Sequence, residues 1–365
     1  MKKLMKKSLL LVLALTLLVA LAACGEKTPS TTATPNTSAA PTQAPEKKVT
    51  IRWASSVSEN EIKANNTPMS VAINTWIETV EKASNGNIEV ILYPGSQLAN
   101  GTDDTISGLL NGAYEMAQLN TGSWGDYSDA FAALNVPYLY TDYSIVHAVM
   151  DSDFGQGMRE QIESDVGIKT LCYADIGYRH ITNSRKPITS PADMAGLKIR
   201  TMTDSVQISA MEDLGAAVTP LSISELFSAL QQKLVDAQEN PLSTIYAQKY
   251  YEVQKYCTLS RHSYTTTIFF MNENFYNSLS DSQKAAIDEA NAAATKASRA
   301  ILASAEEEYR VLLEQAGMEF YELSAEEMAA FQEAVRPTWD KVKNAMGEEK
   351  WNALMAVVEE ANAAK

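Results

Sequence analysis

Three short runs between Ile176 and Pro241 carry most of the information about the architecture: Gly177-Tyr178-Arg179, Leu197-Lys198-Ile199-Arg200 and Ala237-Gln238-Glu239-Asn240-Pro241. In the second run an arginine ends a predicted strand, so its guanidinium extends past the end of the sheet. Ligands of open α/β sheets bind outside the carboxyl ends of the strands. A guanidinium at that place can form two parallel hydrogen bonds with a carboxylate. The segment therefore predicts an α/β fold with an acid-binding site at Arg200.

Strand-like and helical runs alternate along the rest of the chain, which is typical of α/β proteins. The predicted strands are residues 49–53, 88–93, 197–200, 217–219, 255–260 and 264–272. Predicted helices begin at Thr67-Pro68, Thr102, Ser205 and the capping boxes Ser222/Glu225, Ser280/Gln283 and Ser324/Glu327, and a last amphipathic helix covers 348–363. Residues 281–316 contain neither Pro nor Gly and would span about 54 Å as one helix. That length exceeds one small domain, so this helix is expected to run along two.

The N-terminal segment is expected to lie outside the fold. Residues 1–23 combine four lysines with an apolar run at 8–20 that is too short to span a membrane. Small residues then precede Cys24, which predicts a lipoprotein signal peptide at 1–23 and acylation of Cys24; the alternative is an ordinary signal peptide cleaved near Ala23. Residues 24–47 are rich in Ser, Thr and Pro and lack large apolar residues, which predicts a disordered tether. We therefore expect a protein held by lipid on the outer face of the cytoplasmic membrane, in the periplasm or at the cell surface.

The charge of the chain excludes some partners. It carries 30 Lys and Arg against 45 Asp and Glu, a net charge of −15. Removal of the four leader lysines leaves 26 basic against 45 acidic residues, a net charge of −19. Such an acidic protein is not expected to bind nucleic acid. An anionic ligand would need a local positive site.

Two further cysteines, Cys172 and Cys257, lie in apolar runs. Buried free thiols are one interpretation. A disulfide is the other, because an extracytoplasmic compartment permits it. Bridging depends on the separation of the Cα atoms, so the sequence leaves both open.

Motifs of catalysis are weak. The three histidines, His147, His180 and His262, do not have metal-binding spacing. The loop at 121–125 is a near miss for a nucleophile elbow because its first glycine is displaced. Neither a phosphate-binding loop nor a dinucleotide fingerprint occurs. We therefore expect neither an enzyme nor a metal site nor a cofactor.

The order and spacing of these motifs resemble the substrate-binding proteins of TRAP transporters (tripartite ATP-independent periplasmic transporters), the DctP type. The resemblance covers nearly the whole chain after the leader. It implies two lobes of periplasmic-binding-protein-like fold, joined by hinge strands and spanned by a long helix. The expected lobes are 48–174 plus 265–303 and 175–264 plus 304–365, with crossings near 174–178 and 261–265.

The resemblance also implies roles for two arginines. Arg200 occupies the position of the family's arginine that forms a two-pronged salt bridge with the substrate carboxylate. Arg179 occupies the position of a second basic contact, direct or through water. For Arg179 the alternative is a salt bridge between the lobes.

A second group of candidates surrounds Asn240. Its amide can donate to a carboxylate and accept from a ligand hydroxyl, and Pro241 favours an extended backbone that directs it off the strand end. Strand alternation predicts that Gln238 shares its face. Glu239 is expected to be structural.

The opposite wall and the packing over the ligand are less defined. Ile223 stands where many relatives carry an aromatic residue over the ligand, and Ala237 replaces a common glycine. The candidates for the opposite wall are Trp53, Ser55, Gln97 and Trp124, although a tryptophan is often a core residue.

Together these features predict an extracytoplasmic receptor that captures a small organic acid between its lobes. The resemblance implies delivery to a small and a large membrane subunit for uptake driven by an ion gradient, without a nucleotide. The alternatives are an ABC-type solute-binding protein and a lipoprotein that senses a ligand and signals to a membrane receptor. The identity of the acid is not predicted.

Overall fold

The computed structural model describes residues 47–365, in which nine strands join one sheet. The strands are β1 (Val49–Ala54), β2 (Ile88–Tyr93), β3 (Met116–Asn120), β4 (Ile168–Asn183), β5 (Lys198–Thr201), β6 (Ala217–Pro220), β7 (Ala237–Asn240), β8 (Tyr256–Asn272) and β9 (Glu319–Glu322). The α-helices are α1 (Glu59–Ala64), α2 (Pro68–Ala83), α3 (Thr102–Leu110), α4 (Tyr143–Asp151), α5 (Asp153–Val166), α6 (Ser205–Asp213), α7 (Ile223–Gln231), α8 (Leu242–Ala247), α9 (Glu273–Ser278), α10 (Asp281–Gln315), α11 (Ala325–Ala334), α12 (Arg336–Met346) and α13 (Glu348–Ala363). The predicted signal peptide, Cys24 and all but the last residue of the predicted tether lie outside the described residues.

Two long antiparallel strands, β4 and β8, form the centre of the sheet. The strand order is β2-β1-β3-β8-β4-β7-β5-β6, and β9 pairs with β8. The parallel strands β1, β2 and β3 thus attach to one end of the central pair, and β5, β6 and β7 attach to the other. The two halves of the fold therefore share one continuous pair of strands.

The pairing of the two central strands is irregular near the predicted crossings. Its register shifts between Asp175 and Gly177 and again between Arg179 and Ile181. Gly177 has φ +123°, which a residue with a side chain rarely adopts, and Arg261 opposite has φ +44°. The prediction of two separate strands at 255–260 and 264–272 was wrong, because β8 is one strand that bulges around Arg261, with its pairing to β4 interrupted at residues 259–262 and present on both sides.

The long helix is unbroken, as the sequence predicted. α10 has 35 residues and begins at a capping box in which the Ser280 and Gln283 side chains each accept from the other's backbone N–H. At this length it spans about 52 Å. It packs against α2, β4 and α8, and so reaches elements from both halves of the sheet.

The last helix lies across the predicted division of the chain. α13 packs on α4, and its Trp351, Leu354 and Val358 join the core that contains Ile145 and Val149 of α4. The predicted boundaries put α13 in one lobe and α4 in the other. Those boundaries stay a prediction.

The thiols of Cys172 and Cys257 are both free and buried. Cys172 packs with α2 and α10 residues, whereas Cys257 lies in a separate apolar cluster around Tyr250 and Tyr309. Within residues 47–365, no helix is both long and apolar enough to cross a membrane.

Candidate functional site

A cavity of about 480 Å³ lies at the carboxyl ends of the parallel strands from both halves. Ser55 follows β1, Asn120 ends β3, Arg200 lies near the end of β5 and Asn240 ends β7. This convergence is the place where open α/β sheets bind ligands. We call residues 54–126 of its lining the first wall and residues 176–267 the second wall.

Arg200 is buried, 3% exposed, and reaches the cavity from the second wall. Its Nε and Nη2 both donate to the Leu221 carbonyl oxygen, at 2.9 and 2.5 Å, which fixes the plane of the guanidinium. Nη1 has no hydrogen-bond partner within residues 47–365, and no carboxylate there lies within 4.0 Å of the group. Burial lowers the pKa of Arg200 to about 10, so the group stays charged at neutral pH. It is therefore a buried cation without a counter-ion.

Arg179 also faces the cavity but its charge is met. Nε and Nη2 grip the Glu239 carboxylate, Nη2 donates to the Asn240 side-chain oxygen at 3.1 Å, and Nη1 donates to the Thr265 hydroxyl at 2.9 Å. Burial would raise the pKa of Glu239, but Arg179 and the His262 ring lower it to about 2. The pair is thus fully ionised, and the prediction that Glu239 is structural agrees with its place under Arg179.

Asn240 lies between this ion pair and a second amide. Its side-chain oxygen accepts from Arg179 and its Nδ2 donates to the Gln238 side-chain oxygen at 2.5 Å. Gln238 in turn donates to the Thr182 hydroxyl at 2.7 Å and is fully buried. Gln238 shares the face of Asn240, as alternation predicted, but it lies behind the lining and orients Asn240. The orientation leaves one Nδ2 hydrogen of Asn240 for a ligand.

On the first wall, Trp53 contacts the cavity-lining residues without lining the cavity itself. Trp53 is buried in the core between Trp76 and Phe269 and does not line the cavity. Its indole N–H donates to Gln118, whose Nε2 donates to the Ser55 hydroxyl at 2.6 Å. Ser55 and Gln118 both line the cavity. The expectation that Trp53 forms the wall is corrected, because the large ring is accommodated in the core and only its N–H points to the site.

Of the remaining candidates, only Ile223 lines the cavity. It is the first residue of α7 and is 37% exposed. Gln97 is exposed and outside the lining, where its neighbours Ser96 and Asn100 stand instead. Trp124 is buried against Phe270, with ring centroids 4.3 Å apart, and only its neighbour Ser123 reaches the cavity. The predictions that Gln97 and Trp124 line the site are therefore corrected. Gln97 lies in a loop from which other residues face the cavity, and the Trp124 ring packs in the core.

Several lining residues had not been predicted: Glu61, Asn120, Ser123, Thr265 and Thr267. Three of them carried a usable signal. Asn120 follows residues 116–119, three of which are apolar, so the run could have been recognised as a strand with a polar residue at its carboxyl end. Thr265 and Thr267 alternate on one face of β8. Glu61 had none, because its short helix α1 has no buried residue and so no apolar periodicity.

One buried acid lies just outside the cavity. Asp204 caps α6, where its Oδ1 accepts from the backbone N–H groups of Val206 and Gln207 at 2.9 and 3.4 Å. Its Oδ2 is buried without a hydrogen-bond partner in the described part of the chain. This atom packs on Gly122, where a Cβ would lie only 2.0 Å from it. Burial raises the pKa of Asp204 to about 7, against the pull of the two N–H groups.

The histidines do not assemble a metal site. Each faces one carboxylate: His147 faces Asp175 at 3.3 Å, His180 faces Glu306 at 3.6 Å and His262 faces Glu239 at 3.2 Å. Burial lowers the pKa of both His180 and His262. Across residues 47–365, no group of three His, Cys, Asp or Glu side chains could hold an ion.

Two halves that share bent central strands, with a charged cavity between their strand ends, define a receptor of the two-lobe solute-binding class. The chain belongs to the DctP family of bacterial extracellular solute-binding proteins (family 7), because the family model matches residues 59–345. The resemblance drawn from the sequence is thus confirmed, and with it the fold class.

Individual relatives agree with this assignment. The C4-dicarboxylate-binding periplasmic protein DctP of Rhodobacter capsulatus is 31% identical over 82% of this chain and 90% of its own. The sugar-acid-binding protein of Advenella mimigardefordensis, solved with galactonate, is 30% identical over 87% of this chain and 99% of that one, with a TM-score of 0.81. A TRAP solute-binding protein of Sulfurospirillum deleyianum, solved with succinate, is 29% identical over 85% and 99%, with a TM-score of 0.79.

Proposed function

We propose that this protein captures a small organic acid in the cavity and delivers it to the small and large membrane subunits of a TRAP transporter. Relatives named for C4-dicarboxylates, or solved with succinate or galactonate, support an acid as ligand. Relatives named as solute-binding proteins support release of the ligand unchanged. The alternatives, an ABC-type receptor and a signalling lipoprotein, have no observation in their favour.

The observation that carries the proposal is Arg200. A buried charge is costly unless a partner neutralises it. This guanidinium has a fixed plane, and within residues 47–365 it has a free Nη1 and no carboxylate within 4.0 Å. A ligand carboxylate supplies the missing counter-ion. Asn240 and Arg179 line the same wall, and Asn240 offers its remaining Nδ2 hydrogen to the ligand.

The ligand enters and leaves by bending of β4 and β8 at Gly177 and Arg261. The positive φ angles and register shifts at these residues support a hinge there. The Ser224 hydroxyl meets the Asn100 side chain at 3.2 Å across the cavity, a contact that joins the two walls. A ligand that bridges both walls favours the closed form, because only that form completes its contacts.

The binding proposal is tested by replacing Arg200 with lysine, which keeps the charge but loses the fork. A charge-assisted hydrogen bond contributes about 1.5–3 kcal/mol, so the affinity for acids falls about 10- to 100-fold. Isothermal titration calorimetry of the mature protein measures this, after a thermal-shift panel of acids and matched amides. The control is Arg185→Lys, at an exposed arginine paired with Asp236. Unchanged affinity in Arg200→Lys, or a panel in which only neutral compounds shift the melting temperature, contradicts the proposal.

We also propose that a lipid on Cys24 anchors the protein outside the cell membrane. The proposal rests on the leader and the small residues before Cys24. Replacing Cys24 with serine removes the acylated thiol and releases the protein to the soluble fraction. Retention of the variant in washed membranes would argue against the anchor.

A further inference from the structure

The two walls of the cavity carry opposite charge. The first wall presents four carboxylates, from Glu61, Asp103, Asp104 and Asp126, and none of its lining residues is basic. The second wall presents Arg179 and Arg200 and no acid among its lining residues. Since Arg179 is neutralised by Glu239, a ligand meets one uncompensated cation on one side and several anions on the other.

Glu61 is the least exposed of the four acids. Its Oε1 accepts from the Thr67 hydroxyl at 2.8 Å, and its Oε2 accepts nothing from the described residues. No basic group of residues 47–365 lies within 4.0 Å of it, and burial raises the pKa of its carboxyl against the pull of Thr67. On the same helix, Glu59 is exposed and paired with Lys63 at 2.6 Å. Glu61 is thus an acceptor left open toward the cavity.

The rest of the lining is suited to hydroxyl groups. Fourteen of the 36 lining residues are Ser or Thr, which can both donate and accept. None of the 36 is aromatic, so the cavity offers no ring for an aromatic acid to stack on. An apolar ligand would leave these polar groups unpaired, which costs affinity.

We propose that the ligand is an acid with one carboxylate and several hydroxyls, such as an aldonate or a uronate, and that Glu61 selects it against dicarboxylates. The carboxylate pairs with Arg200, and the hydroxyls donate to Glu61 and the neighbouring first-wall oxygens. A second carboxylate at that end faces Glu61, Asp103 and Asp104 without a cation to receive it. This inference rests on the proposed function of the same site.

The test is calorimetry on the mature protein at pH 8 with galactonate, glucuronate, succinate, malate and hexanoate. The first two bind at least tenfold more tightly than the other three. Hexanoate separates the two causes, because it lacks the second charge of the dicarboxylates and the hydroxyls of the sugar acids. Succinate or malate as the tightest ligand overturns the inference, whether or not any variant folds.

The residue is tested with Glu61→Gln, which removes the charge and keeps the shape. The ratio of sugar-acid to dicarboxylate affinity falls at least tenfold in this variant. The control Glu59→Gln leaves the ratio within twofold of the wild type, and Glu61→Asp retains most of the discrimination. If folded Glu61→Gln has the same ratio of sugar-acid to dicarboxylate affinity as the wild type, Glu61 does not select the ligand.

The outcomes keep the two proposals apart. If no acid binds, or if Arg200→Lys binds every acid as well as the wild type, the proposed function itself fails. If acids bind through Arg200 but dicarboxylates are preferred, only the present inference fails.

Discussion

The two buried arginines at the cavity, Arg179 and Arg200, differ in what surrounds each guanidinium. Arg179 is held by the Glu239 carboxylate, an amide oxygen and a hydroxyl. Among the described residues, Arg200 is held only by one carbonyl oxygen, and its Nη1 is open. Both are nearly inaccessible, so burial does not separate them. The presence or absence of a counter-ion does, and from it we infer that Arg179 mainly supports the fold and that Arg200 anchors the proposed ligand.

The difference has an energetic side. A buried ion pair costs stability mainly when one partner is removed, because the other charge is then left uncompensated. Arg200 is in that state without its ligand, so part of the binding energy comes from relieving it. The same guanidinium chemistry therefore supports the fold at one position and is reserved for a ligand at the other.

The largest expected effect on stability comes from removing the counter-ion of Arg179. Glu239→Gln keeps the shape of the side chain but leaves the Arg179 charge buried and unpaired. We expect the free energy of unfolding at pH 7 to fall by about 3–5 kcal/mol, measured by urea denaturation. The control is Glu319→Gln, in an exposed pair with Lys255, which should lose less than about 1 kcal/mol. A loss as small as the control's would show that Arg179 needs no counter-ion.

Asp204 extends the comparison to an anion, because its Oδ2 is as unpartnered as Nη1 of Arg200. Its pKa is raised to about 7 in the fold, against about 3.9 in the unfolded chain. Between about pH 4 and pH 7 the folded state therefore holds a proton on Asp204 that the unfolded chain has released. The stability that this proton contributes is fully present below about pH 4 and is lost as the pH rises through about 7.

Asp204→Asn imitates the protonated acid at every pH. We expect it to be more stable than the wild type at pH 8 by about 2–4 kcal/mol, with no difference below about pH 4. The measurement is the difference between the two urea-denaturation profiles from pH 4 to 8, which cancels the titration of Glu239 and the histidines. A constant difference across this range would mean that Asp204 is already charged in the fold.

The fold was predictable wherever local chemistry specifies an element. The capping box at Ser280 and Gln283 and the absence of Pro and Gly after it defined α10. The break predicted inside β8 was wrong because the strand resumes its pairing with β4 beyond a bulge at Arg261, whose positive φ is not predictable from its residue type. The strand β9 was not predicted because its four residues carry little periodicity.

The site was predictable mainly on the second wall, and on the first wall only Ser55 was predicted correctly. Arg200 and Asn240 stand at or near the carboxyl ends of β5 and β7, so strand geometry directs them to the cavity, as the family resemblance also implied. Trp53 and Trp124 were candidates for the opposite wall because each has a large ring with a polar N–H. A ring of that size favours core packing, and each is buried. Glu61 depends on a tertiary contact between a short helix and distant strands, and no local pattern records such a contact.

The smallest expected effect comes from a substitution that leaves Nη1 of Arg179 without a partner, as Nη1 of Arg200 is among the described residues. Thr265→Val removes the hydroxyl that accepts from Nη1 of Arg179 and leaves the Glu239 pair intact. We expect the free energy of unfolding to fall by about 1.5–3 kcal/mol, the contribution of one hydrogen bond to a charged group. The matched control is Thr267→Val on the same face of β8, whose hydroxyl donates only to the neutral side chain of Asn120 at 2.7 Å and should lose less than about 1 kcal/mol.

Ligand affinity in Thr265→Val distinguishes the two arginine roles. The variant opens Nη1 of Arg179 toward the cavity, but Glu239 still neutralises the guanidinium. If a counter-ion decides the role, the new donor adds little, and the affinity for acids measured by calorimetry changes less than about threefold. A tenfold loss would instead show that Thr265 holds Arg179 in direct contact with the ligand, so that a neutralised guanidinium also anchors it. In that case both arginines bind the acid, and an uncompensated charge would not be what distinguishes a binding arginine in this fold.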